Sequence, residues 1–306
     1  MRNAFADELS RLAELDSRVM LLSGDIGNKL FDSFKKVDAT RFLNCGIAES
    51  NMLSVAAGLA LNGLRPVVYT ITPFTTTRCF EQIRVDVCYH EAPVIIVGTG
   101  SGLSYAELGP THHSLEDLAI MRTLPGMQII APCDAIEMRL ALSAALQSQY
   151  PTYIRIGKKG EPVIHKTVPH FKVGRAITIQ AGSDVLIMVS GTIMTNVLNA
   201  VEALETHGIS CQIASVHTIK PFDYDYLGQN IAKFKAVVTI EEHSMSGGLG
   251  GVVAEFLSSY SHHPRHLRLG TRDEFMHEMG DQAFAHIKYD LDSAGIARKI
   301  KSFLEQ

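Results

Sequence analysis

The chain has 306 residues, 46% of them hydrophobic and 20% charged, an ordinary globular composition that excludes general disorder. Lys plus Arg number 28 against 32 Asp plus Glu, and the net charge of −4 is too mild for a bulk nucleic-acid or membrane-surface binder. At about 150 residues per domain, the length suggests two domains, with enough core to need no metal or disulfide staple.

Residues 3–15 carry apolar positions at helical spacing, and this acidic, amphipathic start is unlike a signal or transit peptide. A short apolar strand at 19–22 closes on Ser23-Gly24-Asp25. A helix over 50–61, a strand at 67–71 and a helix over 76–89 follow. The strand at 94–97 ends in Gly98-Thr99-Gly100. Helix 115–123, strand 127–130, helix 134–148 and strand 153–156 complete the first series. Residues 157–173 are rich in Gly, Pro, Lys and His, as an interdomain segment is. A second series then runs through strand 185–189, helix 193–207, strand 211–216, a helix near 224–233 and strand 236–240. Helices near 249–260 and 293–304 end it. Short apolar strands alternating with helices predict two three-layer α/β domains with mostly parallel sheets, over 1–160 and 174–306, joined by a linker at 161–173. No apolar run approaches the ~18 residues of a membrane span. Together with the missing leader, this predicts a cytoplasmic protein.

The five cysteines, Cys45, Cys79, Cys88, Cys133 and Cys211, are scattered without a CxxC pair, and read as reduced, buried residues. No metal ligand is assigned within the chain. The adjacent His112-His113 pair lacks further ligands at zinc spacing. Gly98-Thr99-Gly100 and Gly248-Leu249-Gly250 lack the third glycine of a dinucleotide fingerprint, and the Walker pattern is absent. Sites in open α/β sheets gather at the carboxyl ends of strands. Four segments fit that position: Gly24 to Gly27, Cys45 to Met52, Gly98 to Gly102, and Leu108 to His113.

These segments carry a resemblance. Gly24-Asp25, Asn44-Cys45-Gly46-Ile47-Ala48-Glu49-Ser50-Asn51-Met52 and Thr77-Arg78-Cys79-Phe80-Glu81-Gln82 occur in order. Gly109-Pro110-Thr111-His112, Arg122-Thr123-Leu124-Pro125, Thr218-Ile219-Lys220-Pro221-Phe222-Asp223 and Gly247-Gly248-Leu249-Gly250 follow. Over nearly its full length the chain resembles the C-terminal half of transketolase, with similar segments in 1-deoxyxylulose-5-phosphate synthase. The resemblance implies a pyrimidine-binding domain followed by a transketolase C-terminal domain, and thiamine diphosphate as cofactor. The diphosphate module that holds Mg²⁺ through Gly-Asp-Gly normally comes before these two, and Gly-Asp-Gly is absent here. The implied arrangement is a split transketolase: an N-terminal, diphosphate-binding partner subunit holds the Mg²⁺, and this chain forms a homodimer within a heterotetramer.

The resemblance also implies roles for single residues. Glu49 is the catalytic carboxylate that hydrogen-bonds the cofactor's pyrimidine ring; on its own it also reads as an ordinary N-terminal helix acid. His112 is implied as a catalytic and substrate-facing imidazole. Asp25 and Ile26 fall beside the thiazolium, although Asp25 equally suits a helix cap. Phe74 and Arg78 are assigned to the cofactor's seat, with Tyr69 and Phe80 nearby; Phe80 equally suits the core. Arg2 and Lys158 fall where a sugar phosphate binds, with Arg155 a second choice, and each reads equally as a solvated charge. Leu108 stands where an acidic residue would hold a sugar hydroxyl, and a substrate histidine is replaced near Gly100. An apolar group cannot substitute for such a carboxylate, so a deoxy or otherwise modified sugar is expected. Glu241-Glu242-His243 and the glycines after it are read as structural.

The leading activity is transfer of a two-carbon ketol unit between a ketose and an aldose. The alternatives are the beta subunit of a 2-oxo-acid dehydrogenase, a deoxyxylulose-phosphate-synthase-like enzyme, or a non-catalytic regulatory subunit.

Overall fold

In a computed structural model, residues 1–27 and 29–306 are described. Twelve strands among them form two sheets. The first series is β1 (Val19–Ser23), β2 (Phe42–Asn44), β3 (Arg65–Ile71), β4 (Ile95–Thr99), β5 (Gln128–Ile130) and β6 (Thr152–Ile156). The second is β7 (Ile177–Gln180), β8 (Val185–Ser190), β9 (Cys211–Ser215), β10 (Thr218–Lys220), β11 (Ala236–Ser244) and β12 (Arg265–Thr271). β3, β4, β6 and β8 are buried at every position. Such strands read as unbroken Val/Ile/Leu runs because helices cover both faces of a parallel sheet.

The larger sheet has the order β10-β5-β6-β4-β3-β1-β2, and the smaller β12-β11-β8-β9-β7. All pairings are parallel except two edges, β10 on β5 and β7 on β9. The predicted architecture of two α/β domains with mostly parallel sheets is therefore present. The expected separation of the two series is not complete. β10 follows β9 in sequence yet crosses over to extend the first sheet, with Thr218 opposite Ile130. One apolar core likewise runs from Leu22, Val68 and Tyr153 to Leu186, Met188 and Val237.

The helix expected over 76–89 is broken. A short turn at Thr72–Thr75, a 3₁₀ turn at Thr77–Cys79, an α turn at Phe80–Gln82 and a π-helical stretch at Ile83–Tyr89 replace it. The cause is local. Hydroxyls of Thr75 and Thr76 donate to the Thr72 carbonyl at 3.0 and 2.8 Å, and Thr77 donates to that of Pro73 at 2.9 Å. Side-chain bonds of this kind compete with the helical ladder. The sequence pattern does not predict the short strands β2, β7 and β10, nor β12, whose run RHLRLGT carries too many charges to look like a strand. No helix among the described residues is long and apolar enough to cross a membrane.

Candidate active site

The carboxyl ends of β1, β2, β3 and β4 present four loops on one side of the first sheet. The β1 and β2 loops are stitched together by backbone. Asp25 N–H donates to Gly46 carbonyl at 3.0 Å, and Cys45 N–H to Ser23 carbonyl at 2.8 Å. Asn44 accepts the Gly46 N–H through Oδ1 at 2.9 Å and donates from Nδ2 to Asp25 Oδ1 at 3.2 Å. Gly46 has a φ of 65°, a left-handed turn that a side chain would strain. This turn delivers Glu49 to the first position of the helix Glu49–Leu61.

Glu49 is buried, and its Oε1 lies 2.9 Å from Arg78 Nη1. Arg78 is 44% exposed. Its guanidinium carbon lies over the half-buried Phe74 ring, 4.0 Å from the centroid. The broken helix makes this possible. Thr76, at φ −115° and ψ −85°, leaves the helical path and returns Arg78 across Phe74. Cys79 Sγ to the Phe74 carbonyl (3.0 Å) and Ser50 Oγ to the Arg78 carbonyl (3.4 Å) hold the loop against the Glu49 helix.

Phe74 meets His112 edge-on, with centroids 5.3 Å apart, and His112 meets Tyr105 at 5.9 Å. Lys158 Nζ lies 4.5 Å from the Tyr105 ring centroid and pairs with Glu107. Glu49, Arg78, Phe74, His112, Tyr105, Lys158 and Glu107 therefore form one continuous surface. Burial, the neighbouring His113 and the Arg78 charge hold the His112 imidazole below its ordinary value, so it is predominantly neutral at pH 7. Thr111 Oγ1 lies 2.9 Å from Nδ1, which leaves Nε2 for an incoming group. His113 turns away into the protein, Nε2 against the Ala106 carbonyl at 3.1 Å.

Arg2 takes a different place. Its side chain lines a hollow with Ala6, Asp7, Gly27 and Leu30, beyond the Asp25 loop. It adjoins Met1, whose nitrogen lies 2.6 Å from Glu161 Oε2, and Glu161 folds back onto Gly157 beside Lys158. Asp25 is exposed and Ile26 half-buried against the core. Two sequence candidates are corrected. Tyr69 is buried in an aromatic cluster, stacked on Phe5 at 5.3 Å, and is core rather than cofactor seat. Arg155 is buried and ion-paired with Asp117 Oδ2 at 2.7 Å, so it is no second phosphate ligand.

The loop carrying His112 is anchored from the second domain. Leu103 and Ala106 enter that domain's apolar core. The Leu103 N–H donates to the buried carboxylate of Glu242. Gly102, at φ 60°, lies so close that a Cβ would come within 2.6 Å of Glu242 Oε1. Gln282 Nε2 (3.0 Å) and His286 Nε2 (3.0 Å) bind the same carboxylate. Arg155 Nη2 closes the loop's far end by donating to the Ser114 and Glu242 carbonyls, both at 2.9 Å. Glu241 accepts the Leu249 and Gly250 N–H groups at 2.7 and 2.8 Å and caps the next helix. Tyr105, Glu107 and Glu242 do not stand out as site residues in the sequence. Their one advance signal is spacing: Tyr105 and Glu107 sit between Gly102 and Gly109.

The arrangement fits thiamine diphosphate on one observation. The flat, N–H-bearing guanidinium of Arg78 already makes the two contacts that an aminopyrimidine ring needs, a face on Phe74 and a hydrogen bond to Glu49. A planar group of that chemistry has a seat here.

Residues 1–161 match the transketolase pyrimidine binding domain, and residues 174–293 the transketolase C-terminal domain. The chain is 34% identical to one of the subunits of the apulose-4-phosphate transketolase of Phocaeicola vulgatus, covering 100% of this chain and 97% of that one. It is 34% identical to the 6-deoxy-6-sulfo-D-fructose transketolase subunit SqwH of a Clostridium species, covering 100% and 95%. Among solved structures it is similar to a split-gene transketolase described as an inactive beta4 tetramer, at 33% identity and a TM-score of 0.89, covering 98% of this chain and 96% of that one. The Campylobacter jejuni transketolase, 19% identical with a TM-score of 0.84, shares the fold over 98% of this chain and 46% of its own. The chain belongs to the transketolase family.

Proposed function

We propose that this chain is the C-terminal subunit of a split, thiamine-diphosphate-dependent transketolase, and that Glu49, Phe74, Arg78 and His112 form its half of the active site. The observation that carries the reading is the unbroken contact series from the Glu49 carboxylate through Arg78 and Phe74 to His112. When bound, thiamine diphosphate supplies the carbon nucleophile that carries a two-carbon ketol unit between sugars. Glu49 holds the pyrimidine ring by a hydrogen bond once Arg78 swings from its seat, and the partial exposure of Arg78 allows that movement. Phe74 supports the ring's apolar face. His112, neutral and half-buried, exchanges a proton with the substrate oxygens through Nε2. Asp25 and Ile26 border the cofactor from the adjoining loop.

A separate N-terminal subunit supplies the diphosphate and Mg²⁺ contacts. Support comes from two relatives that are themselves named as subunits and are matched over 97% and 95% of their length. Self-association into a homodimer core is supported by exposed apolar side chains beside Glu49: Leu43 (38%), Ile47 (85%) and Val55 (38%). The protein works in the cytoplasm.

The substrates are sugars with an anionic group and a modified or missing hydroxyl. Lys158 provides a cation at the His112 loop, Arg2 one in the separate hollow beyond the Asp25 loop, and Leu108, 49% exposed at the loop's rim, offers no acceptor. The nearest carboxylate in sequence, Glu107, is occupied by Lys158. The relatives named above are described as acting on apulose-4-phosphate and 6-deoxy-6-sulfo-D-fructose, sugars of this kind.

Reconstitution with the partner subunit tests the reading. Glu49→Ala is expected to lower turnover at least ~100-fold, the scale of a lost proton-transfer contact. Unchanged turnover would contradict the assignment.

A further inference from the structure

A second cluster of reactive side chains lies away from this site, where the linker crosses the first domain. Cys133 and Glu137 flank the start of the helix Ala135–Gln147, and His165 reaches them from the linker. Their donor atoms all lie within 4.8 Å of one another. Cys133 Sγ is 3.9 Å from His165 Nε2, and His165 Nε2 is 2.9 Å from Glu137 Oε1. All three side chains are more than nine-tenths buried. We propose that Cys133 Sγ, a Glu137 carboxylate oxygen and His165 Nε2 form a binding site for a zinc-type divalent cation that fastens the linker to the first domain.

The geometry is close to what such an ion demands. Tetrahedral zinc bonds place sulfur and nitrogen about 3.5 Å apart, and nitrogen and oxygen about 3.4 Å apart. The present separations differ from these by about half an ångström or less, within the reach of small side-chain rotations. The donors are held by an outer layer of hydrogen bonds, as metal ligands usually are. Glu137 Oε2 accepts the Cys133 N–H at 2.8 Å. Asp134 Oδ2 accepts the N–H groups of Ile164 and His165 at 2.8 and 3.0 Å, which sets the imidazole over Glu137. His217 Nε2 is also buried and without a hydrogen-bond partner among the described residues, but it lies outside this three-donor group.

A divalent cation bound by one thiolate, one carboxylate and a neutral imidazole leaves the site neutral. A thiolate, an imidazole and a carboxylate together favour zinc over magnesium or calcium.

The test uses the full chain, stripped with a chelator and titrated with Co²⁺ alone. One equivalent is expected to give a tetrahedral visible spectrum with a near-ultraviolet thiolate-to-cobalt band. Cys133→Ser removes that band, His165→Ala weakens binding at least tenfold, and Cys211→Ser changes neither. Circular dichroism and melting confirm that each variant is folded, and Glu137→Gln, which keeps its shape, provides a second weakened variant. No band at one equivalent, or a band that survives Cys133→Ser and so marks an adventitious site, overturns the proposal.

Discussion

His112 stands between two rings and beside two basic side chains, and that environment sets how it behaves in solution. Burial, His113 and Arg78 all favour the neutral imidazole, so its titration lies below the ordinary 6.5. If His112 exchanges protons with substrate as a neutral base, the acid limb of the pH–rate profile lies below pH 6.5, and His112→Ala removes it. Turnover is expected to fall about 100-fold or more in that variant, because positioned acid–base groups contribute on that order. A profile with an unchanged acid limb in His112→Ala would remove the residue from the reaction. Glu49, Arg78 and His112 lie in short motifs with family counterparts, which is why the sequence singles them out, whereas Phe74 and Lys158 lie outside those motifs. Glu242 is legible as a motif but not as the support of the His112 loop. Its bond to Leu103 spans 139 residues, and no local pattern encodes a contact at that separation.

The elements that build the site are held by buried hydrogen bonds at their ends. Asp134 accepts four N–H groups, those of Ile136 and Glu137 in its helix and those of Ile164 and His165 in the linker. Losing a helix cap alone costs about 1 kcal/mol, and an unpaired buried N–H adds to it. Asp134→Ala is therefore expected to lower the melting temperature by several degrees and to make residues 161–173 sensitive to protease. A melt within one degree of the parent would contradict this. The Glu242–His286 pair gives a pH signature. Burial raises Glu242, but His286, the Leu103 N–H and Arg155 hold it below its ordinary 4.5. Burial lowers His286, but the Glu242 charge and hydrogen bond, with Asp292, hold it above its ordinary 6.5. The Glu242 contribution is present above pH 4.5 and is lost as pH falls through its folded value. The His286 contribution is present below pH 6.5 and is lost as pH rises through its folded value. Stability from this pair is thus complete between those values and declines on the alkaline side. His286→Gln is expected to flatten part of that decline in thermal melts; His165, which has the same sign, retains the rest. The sequence conveys the fully buried strands β3, β4, β6 and β8, because burial on both faces writes continuous apolar runs, but not the partly exposed β2, β7 and β12. It does not convey the break at Thr76 or the crossing of β10, which depend on hydroxyl back-bonds and on a three-residue pairing with a distant edge.

At the scale of the whole molecule, the two domains behave as one body with a single functional edge. A shared core and the crossing strand join the sheets, and Glu242 of the second domain, with Arg155 of the first, holds the His112 loop. On the proposed reading, a partner subunit supplies the diphosphate and Mg²⁺ contacts. Arg78 occupies the place between Glu49 and Phe74 that this reading gives to the pyrimidine ring. An isolated subunit then offers only part of the binding free energy, and it must also release Arg78. The most direct measurement is calorimetric titration of thiamine diphosphate with Mg²⁺ into the chain alone and into the chain with its partner subunit. The account predicts weak or undetectable binding to the chain alone and tight binding to the pair, lost again in Glu49→Ala. Tight binding by the isolated chain would contradict it.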